Sequence, residues 1–151
     1  MTDLVLAIVH HLIVFGIAAA LAAELALMRP AAMSPQTVRL LGRFDAAYGV
    51  MALAILVVGF LRVKYGAKGA EFYMHNPMFW AKIGAFAVVG LISIRPTLRI
   101  LAWQKLAKAD AAFVPPLDEV GAVRRQMLLE IHVFALIPIF AAMMARGVGL
   151  S

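Results

Sequence analysis

The sequence predicts an all-α protein that crosses a lipid bilayer four times, and two observations carry this prediction. First, the 151 residues are 64% hydrophobic and only 15% charged, with a mean hydropathy of +0.93. A soluble domain of this length cannot enclose so much apolar surface. Second, the apolar residues fall into four runs. Each run is near the roughly 20 residues that a helix needs to cross a hydrocarbon core of about 30 Å.

The four predicted spans cover residues about 4–28, 40–63, 77–101 and 123–145. None of them shows the alternation of apolar and polar residues that is typical of a strand. Strands that are not closed into a barrel cannot satisfy their backbone in lipid, whereas helices can. We therefore expect one membrane domain over residues 1–151, built as a four-helix bundle.

The connections between the spans carry helix-breaking and capping residues. After the first span, two prolines break the helix, and Ser34 or Thr37 is a candidate N-cap of the second span. The connection after the third span begins with a predicted amphipathic extension of that helix, which Pro115-Pro116 ends. The first span follows no basic segment and is too long for the apolar part of a signal peptide, so we expect it to remain as a span.

The lysines and arginines predict how the bundle is oriented. The side that joins the first span to the second and the third to the fourth has nine: Arg29, Arg39, Arg43, Arg95, Arg99, Lys105, Lys108, Arg124 and Arg125. The opposite side has five: Arg62, Lys64, Lys68, Lys82 and Arg146. Since cytoplasmic loops carry the excess of these residues, we expect both termini outside and both basic loops in the cytoplasm.

Several classes of function do not fit the composition. The chain has no cysteine, which excludes disulfides and thiolate metal sites. Its net charge of +6 is scattered between apolar runs and forms no basic stripe, which argues against a nucleic-acid partner. A phosphate-binding glycine loop, a nucleophile elbow and a zinc-binding helix spacing are all missing from the sequence.

Ionisable residues inside the spans are costly in lipid, so each is a candidate functional residue. By helical rise they form two layers. The layer toward the termini contains His10, His11, Lys82, Arg62 and Arg146, with Tyr73 and His75 in the adjacent loop. The layer toward the cytoplasm contains Glu24, Asp45, Tyr48, Glu130 and His132, with Arg43 at its edge.

Structural roles are open for most of these residues. Adjacent histidines point about 100° apart on a helix, and one of them can simply bond a carbonyl. Lys82 and Arg62 can snorkel to the interface. Asp45 and Glu130 can each pair with Arg43 or Tyr48. Glu24 and Asp45 can be hydrogen-bond partners that hold the bundle together. Trp80 and Trp103 are most simply anchors of the aromatic belts.

The combination of residues in the layer toward the termini favours a haem site. Imidazole is the usual haem-iron ligand in a helical bundle, so His10 or His11 is a candidate ligand. The haem propionates need cations near an interface, which Lys82, Arg62 and Arg146 can provide. His132 is a candidate second ligand, although by helical rise it lies about 10 Å deeper than His10. The alternatives are the other imidazole of the His10-His11 pair, His75, neutral Lys82 or no second ligand.

Several motifs resemble a family of uncharacterised bacterial four-helix membrane proteins: "VHHL", "ELALMRP", "FDAAYG", "GFLRVKYGAKGAEFY", "NPMFWAKIG" and "LISIRPTLRILAW". More distantly, the layout resembles HemJ-type protoporphyrinogen oxidases and CopD-like membrane proteins. HemJ proteins bind haem b and place a His early in the first helix and an Ala-Lys pair early in the third. The matching positions are His10 or His11, and Ala81-Lys82. The resemblance implies a haem ligand, a functional lysine and a place in the bacterial inner membrane.

We therefore expect a haem b-binding redox protein of the inner membrane that acts on a quinone or a tetrapyrrole such as a porphyrin. If it is an enzyme, we expect an oxidoreductase. Asp45, Tyr48 and Glu130 would move protons from the cytoplasmic side. One alternative is a CopD-like copper-handling protein or transporter that uses the histidines and Met74, Met78, Met143 and Met144. Another is a non-enzymatic membrane subunit. Small-residue faces on the first and third spans permit a homodimer.

Overall fold

The computed structural model describes residues 1–149, and every regular element within that range is helical. The α-helices are α1 (Thr2–Leu27), α2 (Pro35–Tyr65), α3 (Gly69–Met74), α4 (Pro77–Ala109) and α5 (Leu117–Ala145), with a 3₁₀ turn at Pro30–Ala32. Four of them, α1, α2, α4 and α5, are long and apolar enough to cross a membrane. The all-α, four-span prediction is therefore confirmed.

The helices extend past the predicted spans because an apolar run marks the part of a helix that crosses lipid, not the whole helix. Helix α2 begins five residues early, at Pro35, and Ser34 caps it by accepting a 3.1 Å hydrogen bond from the Thr37 backbone N–H. Helix α4 continues to Ala109, so the predicted extension is present, but it ends with Asp110 as its C-cap and not at the Pro115-Pro116 pair. Helix α5 begins directly after the Pro115-Pro116 pair instead of at residue 123.

Each long helix packs against two others. Helix α1 contacts α2, α4 contacts α5, and the two pairs meet through α2 with α4 and through α1 with α5. This arrangement is an up-and-down bundle in which α1 lies diagonally across from α4, and α2 from α5. We call the end that contains Thr2, α3 and Ala145 the termini end. The opposite end, with the connections 28–34 and 110–116, is the basic end.

Two clusters of buried residues form the core. One lies in the middle of the bundle and contains Ile17, Ala20, Leu21, Tyr48 and Ile55. The other lies at the basic end and contains Met28, Val38, Leu41, Ile100, Trp103, Ala107, Val120, Val123 and Met127. The lipid-facing surface, by contrast, is covered by large apolar side chains that are more than half exposed, such as Leu12, Phe15 and Leu53.

Trp103 does not lie in an interfacial belt, so that expectation was wrong. Its side chain is 2% exposed, and its indole N–H donates a 3.1 Å hydrogen bond to Glu119 Oε2 on α5. The reason is the continuation of α4 beyond the lipid-crossing segment, which gives Trp103 a packing partner in α5. Trp80, at the termini end, is half exposed and donates to the Met74 carbonyl, as a residue at an interface can.

Candidate ligand cavity and buried carboxyl cluster

An apolar cavity of about 450 Å³ opens between the helices toward the termini end. Its walls come from all five helices and include Val14, Ile17, Ile55, Leu56, Gly59, Phe60, Val63, Tyr73, Met74, Phe79, Trp80, Ile83, Phe86, Phe134, Ile137 and Met144. Only three lining residues carry a basic group, and these are His10, Arg62 and Lys82. The cavity therefore combines apolar walls with a few polar groups, as binding sites for small molecules do.

His10 faces this cavity from α1. It shares a stripe with Ile17 and Glu24, which lie seven and fourteen residues further along the helix and are each 2% exposed. The His10 Nδ1 atom is buried and has no hydrogen-bond partner among residues 1–149. The ring lies beside Gly59 of α2, where an added Cβ would come 4.0 Å from His10 Cε1.

Arg62 and Lys82 bring positive charge to the same cavity from α2 and α4. The Arg62 Nε atom is buried without a partner in the described part of the chain. The Lys82 ammonium lies 5.3 Å from the centroid of the Phe79 ring, a cation–π contact. No described lining residue is a carboxylate, and neither cation forms an ion pair within residues 1–149. The cavity is therefore suited to a ligand with an anionic group.

Three residues predicted for this site do not line the cavity. His11 is exposed and does not line the cavity, and its Nδ1 bonds the Ala7 carbonyl at 2.6 Å. His132 is also exposed and bonds the Leu128 carbonyl at 2.6 Å. Arg146 is exposed at the end of α5. The physical reason for the histidines is rotation, since neighbouring positions on a helix point in different directions and only one can face the interior.

A second group of polar residues lies buried deeper in the bundle, toward the basic end. It contains three carboxyl side chains from three helices, Glu24, Asp45 and Glu130, which are 2%, 7% and 1% exposed. The Tyr48 hydroxyl donates a 2.7 Å hydrogen bond to Glu130 Oε1. The Thr97 hydroxyl donates a 2.7 Å hydrogen bond to Asp45 Oδ1. We call these five residues the carboxyl cluster.

The carboxyl cluster has no basic partner in the described chain. Glu24 is close enough to Asp45 and Glu130 to interact with both electrostatically, and its Oε1 atom is buried without a hydrogen-bond partner. Arg43, which was expected as a possible partner, is exposed, and the ion pair that residues 1–149 do form is Arg99 with Glu119. Burying a carboxylate without a partner costs roughly several kcal/mol of folding free energy. Each of these groups therefore needs a bound proton or a nearby cation to offset that cost.

Sequence reasoning did not identify Thr97 or the short helix α3. Thr97 lies four residues after Ser93, so the two hydroxyls share one face of α4, and this spacing is the signal that could have revealed a polar stripe. Helix α3 brings Tyr73 and Met74 to the cavity from a segment that was expected to be a plain connection. Its six residues are too few to give a clear helical period.

The fold and its polar residues define a class of protein. It is a multi-pass helical membrane protein with an apolar cavity that a few basic side chains line, and with a buried carboxyl cluster. Residues 2–149 match the family described as "Predicted membrane protein (DUF2214)". The chain belongs to this family, in agreement with the expectation that its motifs mark a family of uncharacterised membrane proteins. No curated protein and no solved structure matches the chain. The more distant resemblance to HemJ and CopD proteins therefore remains an expectation.

Proposed function

We propose that the protein is a haem b-binding redox protein of the bacterial inner membrane, with its basic end toward the cytoplasm. The observation that supports this proposal most directly is the single cavity that His10, Arg62 and Lys82 share. A haem needs an imidazole for its iron, apolar walls for its ring and cations for its propionates. These three requirements are met by residues of one cavity that come from different helices.

The fit of the residues to a haem rests on three features. The cavity volume of about 450 Å³ lies within the range of about 300–1,000 Å³ that is common for ligand sites. The buried His10 imidazole has a free ring nitrogen, and imidazole is a frequent haem ligand. Within residues 1–149, Arg62 and Lys82 have no carboxylate partner, so both cations would be available to the propionates.

Two residues other than His132 would be able to hold the haem as a second protein ligand. Met74 of α3 and Met144 of α5 both line the cavity, and thioether and imidazole side chains are both known haem ligands. His132 bonds its own helix outside the cavity. If no thioether approaches the iron, His10 would be its one protein ligand. When bound, the haem would supply one-electron chemistry toward a quinone or a tetrapyrrole.

The carboxyl cluster would handle protons in this function. Its three acids and the Tyr48 hydroxyl lie between the cavity and the basic end, so protons that reach the cavity from the cytoplasmic side would pass them. Chains of acids inside membrane proteins are typical of proton relays. In this proposal Glu130 holds a proton at the carboxyl oxygen that does not accept from Tyr48, and Glu24 holds one at Oε1, which has no partner within residues 1–149.

An absorbance spectrum of the detergent-purified protein tests the proposal. Cells should be given a haem precursor during expression so that supply does not limit occupancy. We expect a Soret band and about one haem per chain by pyridine haemochrome. His10→Ala should remove the band, whereas the matched control His11→Ala, next to it in sequence but outside the cavity, should keep it. A colourless wild-type protein from such cells would rule the proposal out.

A second candidate is a copper-handling site in the same cavity. Met74 and Met144 line it together with His10, and thioether and imidazole ligands suit Cu(I). His75, by contrast, is exposed and bonds the Glu71 carbonyl at 3.0 Å. Metal analysis of the same preparation separates the two candidates. Copper that is lost in Met144→Leu, together with no Soret band, would favour the copper site.

A further inference from the structure

A second cavity lies at the basic end, between α4 and α5, and the proposed function does not use it. Its volume is about 420 Å³. Its lining contains Arg95, Arg99, Glu119, Ala122, Val123, Arg125, Gln126 and Leu129. It is therefore a basic pocket between two membrane-spanning helices, separate from the apolar cavity at the termini end.

The charges in this basic pocket are not balanced. Among residues 1–149, three arginines line the pocket, and the one carboxylate is Glu119. Glu119 Oε2 lies 3.6 Å from Arg99 Nη1 and also accepts the hydrogen bond from Trp103. Arg95 and Arg125 form no ion pair within residues 1–149. Two guanidinium groups are therefore available to an anion, and guanidinium matches the geometry of a phosphate.

The depth of the basic pocket places it where phospholipid head groups lie. Arg95 follows Pro77, the first residue of α4, by 18 residues, which is about 27 Å of helix. This length is close to the hydrocarbon thickness of about 30 Å, so Arg95 reaches the opposite interface. Leu129 lies about one helical turn deeper than Arg125 on α5. The pocket thus has cations at its surface and apolar walls toward the membrane interior.

We propose that the basic pocket binds the head group of an anionic phospholipid of the cytoplasmic leaflet. Arg95 and Arg125 would contact the phosphate, and Leu129, one turn deeper than Arg125, would lie along the first part of an acyl chain. Basic pockets between helices on the cytoplasmic side are a known mode of anionic lipid recognition. The two guanidinium groups would bind a phosphate, and the apolar wall would contact an acyl chain. A free anion has no acyl chain, so the apolar wall favours a lipid as the ligand.

The test uses the detergent-purified full chain and thermal unfolding followed by intrinsic tryptophan fluorescence. The protein is titrated separately with phosphatidylglycerol, phosphatidylcholine and inorganic phosphate. We expect phosphatidylglycerol to raise Tm in a saturable way and the other two to leave it nearly unchanged, because a ligand that binds only the folded state stabilises it. The double variant Arg95→Gln/Arg125→Gln should bind phosphatidylglycerol about 30-fold more weakly.

A charge-matched control separates a site from general attraction. Lys105→Gln/Lys108→Gln removes the same charge from exposed positions of α4 outside the pocket and should keep the wild-type response. The proposal would be overturned if both double variants lost the same affinity for phosphatidylglycerol. It would also be overturned if phosphatidylcholine raised the wild-type Tm as much as phosphatidylglycerol does. Equal stabilisation by inorganic phosphate would replace it with a free-anion site. If the double variant does not fold, Arg125→Lys keeps the charge without the guanidinium fork and should still weaken binding.

Discussion

The Tyr48 hydroxyl of α2 donates a 2.7 Å hydrogen bond to the Glu130 carboxyl of α5, and this bond joins two helices that lie diagonally across the bundle. Both side chains are nearly fully buried, at 6% and 1% exposure. In such surroundings neither group can turn to water for a substitute partner. The bond therefore links the core of the bundle to the carboxyl cluster.

Tyr48→Phe should destabilise the protein by about 1–3 kcal/mol, because it removes the donor and leaves Glu130 without its partner. Thermal unfolding in detergent measures the effect as a lower Tm. Tyr65→Phe is the matched control, since Tyr65 is exposed at the end of α2. A Tyr48→Phe variant with the wild-type Tm would show that the bond does not contribute to stability.

Glu24→Gln should leave the Tm unchanged or raise it, because the amide keeps the shape of a side chain whose Oε1 has no partner while removing the need for a cation. Glu119→Gln is the contrasting variant. It should lower the Tm, since it weakens the contacts of Glu119 with Trp103 and Arg99. Both are measured by thermal unfolding in the same detergent. A large loss in Glu24→Gln would mean that the carboxylate has a stabilising partner.

Gly59→Leu should prevent ligand binding in the cavity at the termini end, because the side chain would project beside the His10 ring. Gly59→Ala is the matched control, since its Cβ would lie at an ordinary contact distance of 4.0 Å from His10 Cε1. The Soret absorbance per mole of purified protein measures both. Equal Soret absorbance in the two variants would mean that the haem binds outside this cavity.

Arg62→Gln and Lys82→Gln should each weaken haem binding by about tenfold, because each removes a cation that would hold a propionate. Arg146→Gln should have no such effect, since Arg146 is exposed outside the cavity. Haem titration of the apoprotein, followed by absorbance, gives the affinities. If Arg146→Gln weakened binding as much as the other two, the cations would act through long-range charge instead of through contact.

The fold was predictable from the sequence because the relevant physics is local. An apolar run of sufficient length must form a helix in lipid, so the four spans followed directly from hydropathy. The capping role of Ser34 and the extension of α4 to Ala109 likewise depend on neighbouring residues alone. The separation of polar residues into two layers also followed, since helical rise fixes their depth.

The direction in which each side chain points was a different matter, and only the tertiary structure decided it. His10 and His11 have nearly the same depth, yet His10 alone lines the cavity, because α1 turns the stripe of Ile17 and Glu24 toward α2 and α5. His132 lies outside the cavity because it is deeper toward the basic end and exposed, and Arg146 lies exposed beyond the last residue of α5. Depth along a helix is a property of one segment, whereas rotation about its axis is set by packing against neighbours that lie far away in the chain. The sequence by itself therefore determined the spans and the layers, and the bundle decided which polar residues meet.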